Sequence, residues 1–213
     1  MKVGILALGS HHERHGAALP LDTDAQIAEH IAREAAKRAS AEFFGVLKSS
    51  YELPEINTGE HQSLEELEGE VREAVQEAKD EGFDAIVLVN AHGGNEKLSE
   101  RLNAIEENLG MKIIFNTIIC KLEGPHAGTG ELSIGSVIGI TDESKLEEHA
   151  NVGKHPEVGF AGLQEVREKY LWAEKHAREI EEFGVKIDKF LGEKILQCAI
   201  VDVINDVREL GTA

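Results

Sequence analysis

Asp84-Ala85-Ile86-Val87-Leu88-Val89-Asn90, followed at once by Ala91-His92-Gly93-Gly94-Asn95, decides the fold of this chain. Residues 85–89 are apolar without alternation and rich in β-branched side chains, the pattern of a strand covered on both faces, as in a parallel sheet. The paired glycines end that strand, and a helical pattern over 96–109 follows. The same unit recurs on either side. Upstream, residues 3–8 form a short apolar run closed by Gly9-Ser10, and 24–41 repeat apolar residues at helical spacing (Ile27, Ile31, Ala35, Ala39). Residues 43–48 read as a second strand, and 63–81 as a Glu-rich amphipathic helix carrying Leu64, Leu67, Val71, Val75 and Ala78. Downstream, 112–120 read as a further strand. Strands alternating with helices predict an α/β fold, a three-layer α/β/α sandwich with a mostly parallel sheet. Two long helical patterns, 163–183 and 187–210, are separated by Gly184. With no internal repeat, low-complexity tract or linker, one domain over 1–213 is expected.

Of 213 residues, 40 are acidic and 22 basic, a net charge of −18 that disfavours nucleic acid as a partner. Apolar stretches such as 85–89 and 113–120 fall well short of the ~20 residues that span a bilayer, so no membrane partner is expected. The N-terminal apolar run is too short for a signal segment, which places the protein in the cytoplasm. Cys120 and Cys198 lie far apart inside apolar segments and read as packed, reduced thiols.

In such sheets ligands bind beyond the carboxyl ends of the strands. The chemically unusual residues cluster there: Ser10-His11-His12-Glu13-Arg14-His15-Gly16 with Asp22-Thr23-Asp24, then 90–95, then Pro125-His126-Ala127-Gly128 with Glu131. Each has a bland reading. Thr23-Asp24-Ala25-Gln26 fits a capping box, leaving Asp24 to favour the helix dipole. The histidines of 11–15 fit a solvated loop, and His92-Gly93-Gly94-Asn95 an anion-binding turn, though it matches neither the Walker nor the Rossmann glycine pattern. Taken together, two imidazoles and three carboxylates on strand-end loops form the ligand set of a carboxylate-bridged dinuclear metal site.

The blocks 8–24, 90–95 and 126–133 (His-Ala-Gly-Thr-Gly-Glu-Leu-Ser), present in order, resemble the creatininase family of metal-dependent amidohydrolases. The resemblance implies two divalent metal ions, with Fe(2+) favoured and Zn(2+) or Mn(2+) compatible. Glu13 and His92 would bind one, His15 the other, and Asp24 would bridge them. Creatinine-hydrolysing members carry a Glu where this chain has Gly94, so Glu131 is the candidate either to complete the His15 site or to hold the attacking water. His126 is the catalytic candidate for proton transfer; its alternative is a histidine hydrogen-bonded in a loop. The versions of 16–24, 149–159 and 189–196 look like those of archaeal members that hydrolyse the formamide of a ring-opened guanine nucleotide on the route to riboflavin and a deazaflavin coenzyme. That implies a phosphorylated small-molecule substrate, with Lys97, Lys154 and His155 as candidate phosphate contacts; the alternative is another cyclic or linear amide. A homo-oligomer is expected, and Ile195, Ala199, Ile200 and Val203 could serve its interface or the core.

Overall fold

The apolar runs do become strands. The computed structural model describes residues 1–212, in which β1 (Val3–Leu8), β2 (Ala41–Leu47), β3 (Ala85–Asn90) and β4 (Lys112–Asn116) form an all-parallel sheet in the order β2-β1-β3-β4. The two central strands are buried along their whole length, which is what unbroken apolar runs require, whereas the edge strands are half-buried. Between Ile5 and Leu6 the β1–β2 register slips by one residue, and Gly45, with φ of 143°, lies next to the bulge.

Among the described residues there are nine α-helices: α1 (Thr23–Arg38), α2 (Leu64–Asp80), α3 (Ser99–Leu109), α4 (Ile118–Leu122), α5 (Thr129–Ile138), α6 (Leu146–His149), α7 (Gln164–Lys169), α8 (Leu171–Phe183) and α9 (Lys189–Thr212). Alternate residues of a strand face opposite sides. Ile5, Ala7 and Val87 accordingly pack with α1, α5 and α9 on one face, and Leu6, Leu8, Ile86 and Leu88 with α2 and α3 on the other. Burying each such Leu or Ile contributes about 1.5–3 kcal/mol. Ile195, Ala199, Ile200 and Val203 lie in the first of these cores, so they serve the sheet rather than a subunit interface.

Five expectations shift. The strand expected over 112–120 stops at Asn116, whose Oδ1 accepts from Ile118 N (3.2 Å) while its Nδ2 donates to Asp202 and Asp206 of α9; the chain then turns into α4. The helix over 163–183 is broken at Tyr170, extended at φ −117° and ψ 110°, whose hydroxyl donates to Pro54 O. The start of α3 is delayed to Ser99 by a 3-10 turn over Gly93–Leu98. Thr23 does not cap α1: it is already helical and its hydroxyl donates to Pro20 O, while Gln26 donates to the side chain of Asp22. Ser63 and Glu66, by contrast, do form a capping box on α2. Both cysteines are free, Cys120 half-buried but Cys198 exposed rather than packed. No helix among the described residues is long and apolar enough to cross a membrane.

Candidate metal centre

The loop after β1 folds back on the start of α1 because Gly9 has no side chain. A Cβ there would lie 2.7 Å from Ala25 N and from the Asp24 carbonyl carbon. Ser10 O accepts from Ala25 N and Leu21 O from Glu13 N, which brings Glu13, His15 and Asp24 together below the end of β3, where His92 follows Asn90. All four are essentially buried, between 0% and 4% exposed.

Backbone carbonyls fix both imidazoles. Because Tyr51 O can only accept, His92 Nε2 (2.9 Å away) carries its proton, and Nδ1 is the nitrogen that meets Glu13 Oε2 at 2.9 Å and Asp24 Oδ2 at 3.0 Å. His15 mirrors this: Nδ1 donates to Glu13 O (3.1 Å), and Nε2 meets Asp24 Oδ1 at 2.9 Å and Glu131 Oε2 at 3.6 Å. Each Asp24 oxygen thus faces a different imidazole, and a cation must lie between each ring nitrogen and its carboxylates. In the protein alone that cation is a proton. Burial opposes charging His15, but Asp24 and Glu131 overcome it and push its pKa up to about 10; His92 is likewise raised, against burial, by Glu13 and Asp24. Burial would raise Glu13, yet His92 and His126 hold it well below the usual carboxylate range.

The donor set fits divalent metal. Glu13 Oε2 is buried without an aligned hydrogen bond, its second oxygen being held by Thr58 Oγ1 at 2.8 Å. Tying the outer nitrogen of each histidine to a carbonyl is how metal-ligating imidazoles are oriented. Ligand atoms of Glu13, His15 and Asp24, of Glu13, Glu52 and His92, and of His15, His126 and Glu131 each lie within 4.8 Å of one another.

Glu131 enters from the first turn of α5. Its Oε2 accepts from Ala127 N at 3.0 Å, where Ala127 sits at φ 51°, and Ala127 O in turn accepts from buried His149 at 2.8 Å. His126 is braced rather than loose: Nε2 donates to Arg14 O (2.9 Å), its carbonyl accepts from Gly159 N, and its ring stacks on Phe160. Its side chain, 12% exposed, lines a cavity of about 300 Å³ that also contacts Glu13, Asp24, His92 and Glu131.

Sequence reasoning missed several wall residues. Glu52 Oε2 lies 3.7 Å from His92 Nε2, and burial followed by repulsion from Glu13 leaves its pKa at about 7. Glu123, Lys121, Phe160, Trp172 and His176 also line the cavity. Lys97, Lys154 and His155 do not; they contact Glu100, Glu148 and Glu157. Gly94 has a local cause: a Cβ there would lie 2.1 Å from Tyr51 O and 2.9 Å from Glu52 Oε1, so the segment after β2 occupies the space a side chain at 94 would need.

The fold and this cluster define an α/β protein with a buried two-histidine, multi-carboxylate centre at the carboxyl end of a parallel sheet. The creatininase (creatinine amidohydrolase) family profile matches residues 1–185, and the chain belongs to that family. Relatives named 2-amino-5-formylamino-6-ribosylaminopyrimidin-4(3H)-one 5'-monophosphate deformylase, from Methanothermobacter thermautotrophicus and Methanobrevibacter smithii, are 46% and 43% identical. Each alignment covers 98% of this chain, and 89% and 91% of the relatives respectively. A solved creatininase mutant of zinc–zinc type superposes with a TM-score of 0.69 at 16% identity, over 98% of this chain and 90% of that one.

Proposed function

We propose that residues 1–213 form one metallohydrolase domain that removes formate from the formamide of 2-amino-5-formylamino-6-ribosylaminopyrimidin-4(3H)-one 5'-monophosphate, in the cytoplasm, on the route to riboflavin and deazaflavin. The observation that carries the reading is Asp24, whose two oxygens face two imidazoles that are each held by a backbone carbonyl. Names of relatives 43–46% identical over nearly the whole chain supply the substrate.

Glu13, His92 and Asp24 would hold one divalent ion, and His15, Asp24 and Glu131 the other; Fe(2+) is favoured, with Zn(2+) or Mn(2+) compatible with the same donors. Such ions, when bound, lower the pKa of water and draw charge from the formyl oxygen, the two obstacles to cleaving a resonance-stabilised amide. The chain's own contribution is positioning and proton transfer. With Nε2 committed to Arg14 O, His126 keeps Nδ1 to take a proton and return it to the departing amine. Ala127 N, donating to Glu131, holds its carboxylate toward His15. The cavity walls carry Glu13, Asp24, Glu52, Glu96, Glu123 and Glu131 against a single Lys or Arg among the lining residues, Lys121. Lys121 therefore replaces Lys97, Lys154 and His155 as the phosphate contact. Creatinine fits poorly, because Tyr51 O closes the position at which creatinine-hydrolysing members carry a carboxylate. A homo-oligomer completes the proposal, with exposed Phe190 at the start of α9 available to an interface.

The test is anaerobic measurement of formate released from this nucleotide. Formate stoichiometric with the free amine is expected; release that persists after chelation removes all metal would refute the reading.

A further inference from the structure

One buried carboxyl at the cavity has no task in the metal centre. Glu123 ends α4, its N–H bonded to Ile119 O at 3.0 Å, and its backbone is pressed against Gly130 of α5, where a Cβ would lie 1.8 Å from Glu123 O. The backbone there is closely packed. The residue is 9% exposed and lines the cavity, yet Oε2 has no hydrogen-bond partner among the described residues, and Glu123 belongs to none of the three groups able to hold a metal. Burial, then repulsion from Glu131 and Asp24, pushes its carboxyl well above the usual range. A buried polar group without a partner is costly, and a ligand that supplies the missing donors removes that cost.

The proposed substrate presents such donors. Opening the imidazole ring of a guanine leaves the 2-amino group and the adjacent ring N–H intact, two parallel donors on one edge of the pyrimidinone. The ionised carboxylate matches them with two acceptor oxygens; two donors favour the charged form that burial alone disfavours, and the bidentate pairing fixes orientation as well as affinity. Resting on the deformylase reading, we infer that Glu123 is a specificity-determining residue that receives the 2-amino and ring N–H edge of the base, turning the formamide on the opposite side of the ring toward His126 and the metal centre. A base lacking the amino group leaves one Glu123 oxygen unpaired, and sites built around a hydrogen bond reject such analogues strongly.

The experiment is a two-by-two cycle: wild type and Glu123→Gln, each assayed on the formylamino nucleotide and on the same nucleotide without its 2-amino group. Removing the amino group should lower wild-type kcat/KM about tenfold to a hundredfold, the discrimination of a good bidentate pair. In Glu123→Gln the gap between the two substrates should shrink to within about twofold, with both metals retained. Glu123→Ala should lose discrimination in the same way. An unchanged gap in the variants would overturn the inference, as would loss of metal, which would make Glu123 a ligand. If neither variant folds, equal use of both nucleotides by wild type would overturn it. No formate from either nucleotide with metal-replete wild type would instead refute the deformylase reading on which it rests.

Discussion

Asp24→Asn separates the metal-bridge role from the helix-dipole role more sharply than any other substitution. The side chain keeps its size, but one oxygen becomes an NH₂ donor. In the native geometry those oxygens lie 2.9 Å from His15 Nε2 and 3.0 Å from His92 Nδ1, with the residue 4% exposed. A protein zinc site holds its ion with roughly 10–16 kcal/mol shared among about four ligands, so replacing the carboxylate by a neutral amide that offers only one oxygen should cost up to about 2.5–4 kcal/mol of metal binding, roughly two to three powers of ten in affinity. Were Asp24 only complementing the dipole of α1, the same change would cost about 0.3–1 kcal/mol of stability and no metal. Titration with a competing chelator, together with metal analysis of the purified variant, reads the difference. Two tightly held metals per chain in Asp24→Asn would refute the bridging assignment. Asp22→Asn is the control, since among the described residues that side chain pairs with Gln26 and Lys48 and should leave metal content unchanged.

Further outcomes follow from the same geometry. His126→Ala should keep both metals and bind substrate nearly as well while losing on the order of a hundredfold in turnover; steady-state kinetics with metal analysis checks this, and a variant of near-native kcat would return His126 to a loop-bracing role. Glu131→Gln should lose chiefly the metal held by His15, seen as a drop toward one metal per chain; a replete but slow enzyme would make Glu131 the water-orienting group. Metal affinity should rise with pH, since each ion displaces an imidazole proton, by about tenfold per unit for each proton released; a flat profile between pH 6 and 8 would contradict the protonated state of His15 and His92 in the metal-free chain. For the metal-free chain the sign reverses: with the His15 pKa raised from 6.5 to about 10, that pair stabilises fully below about 6.5 and the contribution is lost as pH rises through about 10, which thermal melts across that window would record.

The sheet was legible because its strands are buried: 85–89 and 3–8 have no polar residue to alternate, and the structure places both at the centre. So were Glu13, His15, Asp24 and His92, since strand-end loops in a parallel sheet converge whatever their length. What failed were decisions made by distant partners. Nothing near Asn116 announces that α9 will bring Asp202 and Asp206 to it and end β4, and nothing near Tyr170 announces Pro54 O. Glu52 and Glu123 were invisible for the same reason, being ordinary glutamates in local sequence that tertiary packing presses into the cavity. The paired glycines were a signal that could have been read further: Gly94 marks where another backbone, that of Tyr51, comes too close for a side chain.

The central claim, a dinuclear centre that hydrolyses a formamide on a phosphorylated pyrimidine, is tested most directly by comparing kcat/KM for the formylamino nucleotide and for creatinine on one anaerobic, metal-quantified preparation. Formate release from the nucleotide, abolished by chelation and restored by divalent metal, with creatinine turned over at least a thousandfold less efficiently, is the expected result. Comparable creatinine turnover, or no formate from a preparation carrying two metals per chain, would contradict it.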